Sequence, residues 1–158
     1  MDASLPKWEL ALLCFYDKFA SVLAEIFCKE PVKTLSLSVL PDSYTVHRFA
    51  SDLPLPPEVL AASSFHISRT AEELSVLCPT ELILDSERQF GPLAGLRVSG
   101  PLDFSLVGIL ADLTKQLAAA ELSVFAVSSY DTDYLFVRTQ NLEAAIDALV
   151  NAGHEVAL

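Results

Sequence analysis

Residues 96–158 carry punctuation that fits few folds. A short strand, Leu96-Arg-Val-Ser-Gly-Pro101, opens the stretch. Leu106, Ile109 or Leu110, Leu113, Leu117 and Ala120 then trace one helical face from about Ser105 to Ala120. Asp103 or Ser105 can cap that helix. Val124 to Ser128 and Tyr134 to Arg138 are two β-forming runs, joined as a hairpin by Tyr130-Asp-Thr-Asp133. The tip lacks glycine, so it is longer than a two-residue primed turn. Leu142, Ala145, Ile146 and Leu149 mark a second helix, with Asn141 as N-cap and Gly153 just past its end. His154 to Leu158 reads as a last strand. The order is β-α-β-β-α-β. It predicts a four-stranded antiparallel sheet with two helices on its apolar face and a right-handed crossover.

The chain upstream is strand-rich and helix-poor. Thr34 to Leu40 alternates apolar and polar residues and predicts a half-buried strand. Pro41-Asp42-Ser43 is a turn signal, and Tyr44 to Phe49 alternates again, with Tyr44, Val46 and Arg48 on one face. The prolines between Asp52 and Pro57 exclude a helix interior or a central strand. That segment reads as an extended connector with a short helical turn near Glu58 to Ala62. Phe65 to Thr70 and Leu74 to Cys78 predict a second hairpin, and Thr80 to Leu93 a loop. In front of all this, Trp8, Leu12, Phe15, Phe19 and Ile26 recur at helical spacing and predict an amphipathic helix ending before Pro31. The expected organisation is an N-terminal helix at 1–33, a reduced first lobe at 34–94 and a complete second lobe at 95–158. The first lobe has too little helix to cover a sheet alone. Pairing with the second lobe, or cover from the N-terminal helix, would supply the missing burial.

Charge and composition narrow the function. The net charge is −11, with acids in excess along the whole chain. A protein without a basic patch is a poor nucleic-acid binder, so none is expected as partner. No apolar run reaches the roughly 18–20 residues that span a bilayer. Glu9, Asp17, Lys18 and Glu25 interrupt the longest one, which also argues against a signal peptide. Cys14, Cys28 and Cys78 do not form a disulfide framework and read as reduced, buried thiols of a cytoplasmic protein. His47, His66 and His154 lack metal-ligand spacing and read as surface or partly buried strand residues. Neither a phosphate loop nor a nucleophile–His–acid pattern is legible, so neither an enzyme nor a cofactor is expected.

Two segments carry a resemblance. Gly100-Pro-Leu-Asp-Phe-Ser-Leu-Val-Gly-Ile-Leu110, with Val124-Phe-Ala-Val-Ser-Ser-Tyr-Asp-Thr-Asp-Tyr-Leu-Phe-Val137, resembles an ACT domain. More narrowly, it resembles the tandem-ACT proteins related to the CASTOR arginine sensors. Phe65 to Pro79 is similar to the degenerate first ACT lobe of that group. The resemblance spans roughly residues 34–156. It implies an α+β, ferredoxin-like fold and a regulatory module binding an amino acid between paired ACT lobes. The implied ligand-facing residues are Ser105, Leu106, Val107 and Gly108 in the strand-to-helix turn, and Ser128, Ser129, Tyr130, Asp131, Thr132 and Asp133 in the hairpin. The animal sensors carry four such domains and this chain two, which implies a homodimer and leaves arginine specificity open.

Elementary chemistry supports such a site. A helix N-terminus offers free N–H groups to a carboxylate. Gly108 lets backbone or ligand approach closely. Asp131 or Asp133 can take an ammonium or guanidinium through charge-assisted hydrogen bonds. Each residue also has a structural use: Asp131 and Thr132 as turn formers, Ser105 as a cap, Gly108 for packing. Two functions follow. One is a non-catalytic amino-acid-binding regulatory protein. The other is an assembly protein in which the lobes are scaffold and the N-terminal helix docks a partner.

Overall fold

A computed structural model describes residues 34–158. The expected N-terminal helix, with Cys14 and Cys28, lies outside the described residues. The described strands are β1 (Ser36–Phe49), β2 (His66–Arg69), β3 (Leu74–Pro79), β4 (Arg88–Val98), β5 (Phe125–Ser128), β6 (Asp133–Arg138) and β7 (Glu155–Ala157). The helices are α1 (Pro57–Leu60), α2 (Ile109–Ala119) and α3 (Leu142–Asn151). All seven strands belong to one sheet, in the order β2-β3-β1-β4-β6-β5, with β7 also on β1.

β1 and β4 are the spine. They pair antiparallel from Leu37↔Val98 to Arg48↔Arg88. On its other side β1 carries β7 in parallel at Ser36 to Ser38, then β3 antiparallel at Tyr44 to Phe49. The order β4-α2-β5-β6-α3-β7 is the β-α-β-β-α-β series read from the sequence. The expected four-stranded sheet is corrected, however, because β1 lies between β4 and β7. The first half of the chain thus enters the second half's sheet, and residues 94 and 95 sit side by side within β4.

Two local expectations also change. Pro41-Asp42-Ser43 does not turn the chain. β1 runs straight through it, and the pairing steps from Val39↔Leu96 to Ser43↔Ala94, so β1 holds extra residues in a bulge there. Arg88 to Leu93, expected as loop, is strand. Gly91-Pro92 sits opposite a second register shift, between Tyr44↔Leu93 and Val46↔Phe90. A bulge tolerates a proline that a regular ladder rejects.

Alternation along β1 and its partners feeds three apolar clusters. Leu37, Leu96, Val98, Leu135 and Val137 face α2 and α3, which contribute Leu113, Leu117, Ala145 and Leu149. Phe49, Leu74, Val76 and Cys78 pack with Val59 of α1. Tyr44, Leu77, Leu93 and Phe136 form a third cluster on the opposite face. Here the sheet curls, since His66 of the edge strand β2 reaches Tyr134 of β6 at 5.0 Å between ring centroids. Leu40, displaced by the bulge, folds onto Gly95. A methyl group at residue 95 would stand 2.6 Å from Leu40 Cδ1 and 2.8 Å from Phe136 Cε1. Gly95→Ala is therefore expected to cost about 1–3 kcal/mol, read as a lower urea midpoint at unchanged slope.

The helix ends follow their chemistry. Gly153 has φ +94° and follows α3, and His154 N–H donates back to the Leu149 carbonyl at 3.1 Å. Asn141 precedes α3 but makes no side-chain cap. His47 and His154 are buried rather than at the surface. His154 Nδ1 accepts from Leu35 N–H at 3.4 Å, and its Nε2 lies 3.2 Å from Asp112 Oδ2 at an angle outside hydrogen-bond geometry. Burial pushes the Cys78 thiol above its ordinary range, which keeps it protonated and unreactive.

Burial also lowers the pKa of His47 and of His66 below the ordinary 6.5. The unfolded chain then binds protons that the folded chain refuses. The contribution of these two groups to stability is present above about pH 6.5 and is lost as pH falls below that value. Urea midpoints measured from pH 7.5 to 5.5 are expected to decline, and His47→Phe to flatten the decline.

Candidate functional site

A cleft of about 390 Å³ lies between the turn that enters α2 and the β5–β6 hairpin. The chain is led into it by close backbone contacts. Gly100 passes so near the hairpin that a Cβ there would stand 2.7 Å from the Asp131 carbonyl. Leu102 N–H donates to that same carbonyl at 2.8 Å. Asp103 Oδ1 then accepts Ser105 N–H at 2.8 Å, closing an Asx turn. These bonds to Ser105 hold the Asp103 carboxyl below its usual range.

The helix begins at Ile109, later than the Ser105 read from the sequence. Ser105 is consumed in the Asx turn, and Gly108 is left-handed at φ +88°, which no continuing helix can adopt. Gly108 is the N-cap and no side chain caps α2. The N–H groups of the first turn therefore have no intrahelical acceptor. Ile109, Leu110 and Ala111, which carry them, line the cleft.

The opposite wall is the hairpin. Ser129 N–H donates to the Thr132 carbonyl at 2.8 Å, and Ser129 Oγ donates to it at 3.0 Å. Thr132 is buried and donates its hydroxyl to the Val98 carbonyl, so it pins the hairpin to β4. Ser128 Oγ donates to Asp133 Oδ1 at 2.5 Å. That bond orients the carboxylate of Asp133, which lines the cleft. Phe104 and Tyr130 meet edge to face at 5.2 Å across the mouth. Both are largely exposed, as are Leu106 and Val107.

Of the residues singled out by sequence, Leu106, Gly108, Ser128, Ser129, Tyr130, Thr132 and Asp133 line this one cleft. Ser105, Val107 and Asp131 do not. Ser105 offers its N–H to Asp103, Val107 points to solvent, and Asp131 works through its backbone carbonyl. Sequence reasoning missed Leu102, Asp103, Phe104, Ile109, Leu110 and Ala111 as lining residues. Asp103 can bond nearby backbone N–H groups either as a cap or in an Asx turn, and the residues alone do not choose between them. No Lys or Arg lines the cleft among the described residues. Chemically the cleft pairs a row of backbone donors with a fixed carboxylate, over an apolar floor.

The ACT-domain family model matches residues 92–151, which include the whole cleft. No curated protein matches the chain. Among solved structures, the protein Atu0741 from Agobacterium tumefaciens is 30% identical, over 80% of this chain and 94% of its own, with a TM-score of 0.74. VC0802 from Vibrio cholerae, a protein of unknown function, is 19% identical over 75% of this chain and 90% of its own, at TM-score 0.60. The regulatory subunit of aspartate kinase from Thermus flavus is 11% identical over 78% of this chain and 99% of its own, at TM-score 0.54, and is alike in fold. No helix among the described residues is long and apolar enough to cross a membrane. The chain is thus a relative of Atu0741, and its residues 92–151 match the ACT-domain family.

Proposed function

We propose that the chain is a non-catalytic regulatory protein that binds a free amino acid in the cleft between α2 and the β5–β6 hairpin. The observation that carries this reading is the uncapped N-terminus of α2 facing the Asp133 carboxylate across one cleft. A zwitterion supplies what both sides lack. Its carboxylate takes the free N–H groups of Ile109 to Ala111, and its ammonium takes Asp133. Thr132 and Ser129 position the hairpin and do not touch ligand. Ser105, Val107 and Asp131, which the family resemblance implied as ligand-facing, act in this reading as the frame of the turn and hairpin.

The cleft mouth is apolar and open, with Phe104, Leu106 and Tyr130 in water and Val107 exposed next to them in the chain. A second copy closing over it would bury these side chains and place the ligand between ACT lobes of a homodimer, as in the tandem-ACT sensors the sequence resembles. The ligand then regulates by binding one arrangement of the two copies more tightly than another. A reduced, cytoplasmic setting suits the buried Cys78 thiol.

The test is thermal unfolding of the full chain against each of the twenty amino acids. A ligand present at about 100 times its dissociation constant stabilises the fold by about 2.7 kcal/mol. One amino acid, or a small chemical group of them, is expected to raise the melting temperature by several degrees. A flat response to all twenty would overturn the reading.

A further inference from the structure

The lining of the cleft between α2 and the hairpin restricts which amino acid fits it. Its hydroxyl groups are already spent within the chain. Ser128 Oγ donates to Asp133 Oδ1. Ser129 Oγ donates to the Thr132 carbonyl at 3.0 Å and accepts the Thr132 N–H at 3.3 Å. The Thr132 hydroxyl donates to the Val98 carbonyl. A hydroxyl carries one hydrogen, so none of the three keeps a donor for a ligand. Tyr130 is 80% exposed at the mouth, in water.

The charges on the lining are of one sign. Asp103 and Asp133 line the cleft, and among the described residues no Lys, Arg or His does. An acidic ligand side chain finds neither a cation nor a free hydroxyl to replace its water. A basic one finds Asp103, because Asp133 already meets the ammonium. Asp103 is exposed and its Oδ1 accepts Ser105 N–H. An ion pair to such a carboxylate adds little, while the cation loses hydration over carbon.

What remains is apolar. Leu102 and Leu110 are half-buried and Ile109 is 8% exposed. All three line the cleft, and all three also pack into the cluster beneath α2 and α3. The core holds them in place, so a side chain set against them exchanges water for carbon on a surface that is already ordered. The contacts to carboxylate and ammonium are common to every amino acid, so they hold a ligand without choosing it. Resting on the amino-acid reading above, we propose that the cleft selects an amino acid with an apolar side chain, which lies against Leu102, Ile109 and Leu110.

Leucine, asparagine and aspartate test this, because their side chains share one branched shape and differ in polarity and charge. Lysine supplies the cationic case. In calorimetry on the full chain, leucine is expected to bind at least about tenfold more tightly than asparagine. Aspartate and lysine should fall behind leucine by at least as much. Leu110→Gln keeps a good helix former in α2 and removes apolar lining. It should weaken leucine about tenfold and leave asparagine nearly unchanged. The ranking on the unaltered chain decides the matter even where that variant is unstable. Asparagine, aspartate or lysine binding as tightly as leucine overturns the proposal and leaves the amino-acid reading standing. So does undiminished leucine binding in a folded Leu110→Gln. Silence from all four overturns the proposal, and the thermal panel of twenty then decides separately whether the amino-acid reading falls with it.

Discussion

Phe136→Ala is expected to lower stability by about 3–5 kcal/mol, a large share of the roughly 5–15 kcal/mol that holds a domain of this size. Phe136 is 1% exposed and sits at the centre of the third cluster. It meets Tyr44 edge to face at 5.3 Å, and Tyr134, Phe125 and His66 at about the same range of 6.4–6.5 Å. No helix covers this face among the described residues. The curl of the sheet around Phe136 does the covering, so removing the ring leaves a void that the rigid spine of β1 and β4 cannot close. Urea denaturation checks this: the midpoint should fall with little change in slope. Phe104→Ala is the control. Phe104 is largely exposed, and its loss should stay within about 0.5 kcal/mol of zero. Equal losses for the two would mean that the third cluster does not hold the curl together.

The second large effect is on binding. Asp133→Ala is expected to cost about 1.5–3 kcal/mol of affinity, some 10- to 150-fold, for whichever amino acid gives the largest thermal shift. Asp133 is half-buried and its one side-chain bond is to Ser128 at an exposed position, so the fold should survive. Asp133→Asn should lose most of the same affinity, because it keeps the shape and removes the charge that meets the ammonium. Calorimetry on both variants, with their melting temperatures, separates the outcomes. Unchanged affinity in a folded Asp133→Ala would place the ammonium elsewhere, with Asp103 the next carboxylate in the cleft.

Much of the second half was legible from residues alone. Leu113 and Leu117 of α2, and Ala145 and Leu149 of α3, are buried where helical spacing put them. A helix on a sheet must turn an apolar stripe inward, and that stripe repeats every three or four residues in the sequence itself. The hairpin was legible for a similar reason. Phe125 to Ser128 and Asp133 to Arg138 are rich in β-forming residues and flank a polar tip, and they pair from Phe125↔Phe136 to Ser128↔Asp133. Gly153 could be placed because a left-handed helix end has few alternatives to glycine. Seven of the ten ligand-facing candidates lie around one cleft because they belong to two short segments that this local order brings together.

What stayed hidden depended on partners far along the chain. Pro41-Asp42-Ser43 has turn chemistry, yet it becomes a bulge, because β4 pairs with β1 on both sides of it. Arg88 to Leu93 lacks strand periodicity, yet β1 supplies a ladder that accepts it. The burial of His47 and the curl that brings His66 to Tyr134 are consequences of the same pairing. The sequence by itself determined which segments are helix or hairpin and which faces are apolar, since those follow from neighbours within a few residues. Only the tertiary structure decided that β1 lies between β4 and β7 and joins both halves in one sheet. Strand order is chosen by backbone hydrogen bonds between distant segments, and those groups are the same in every residue but proline.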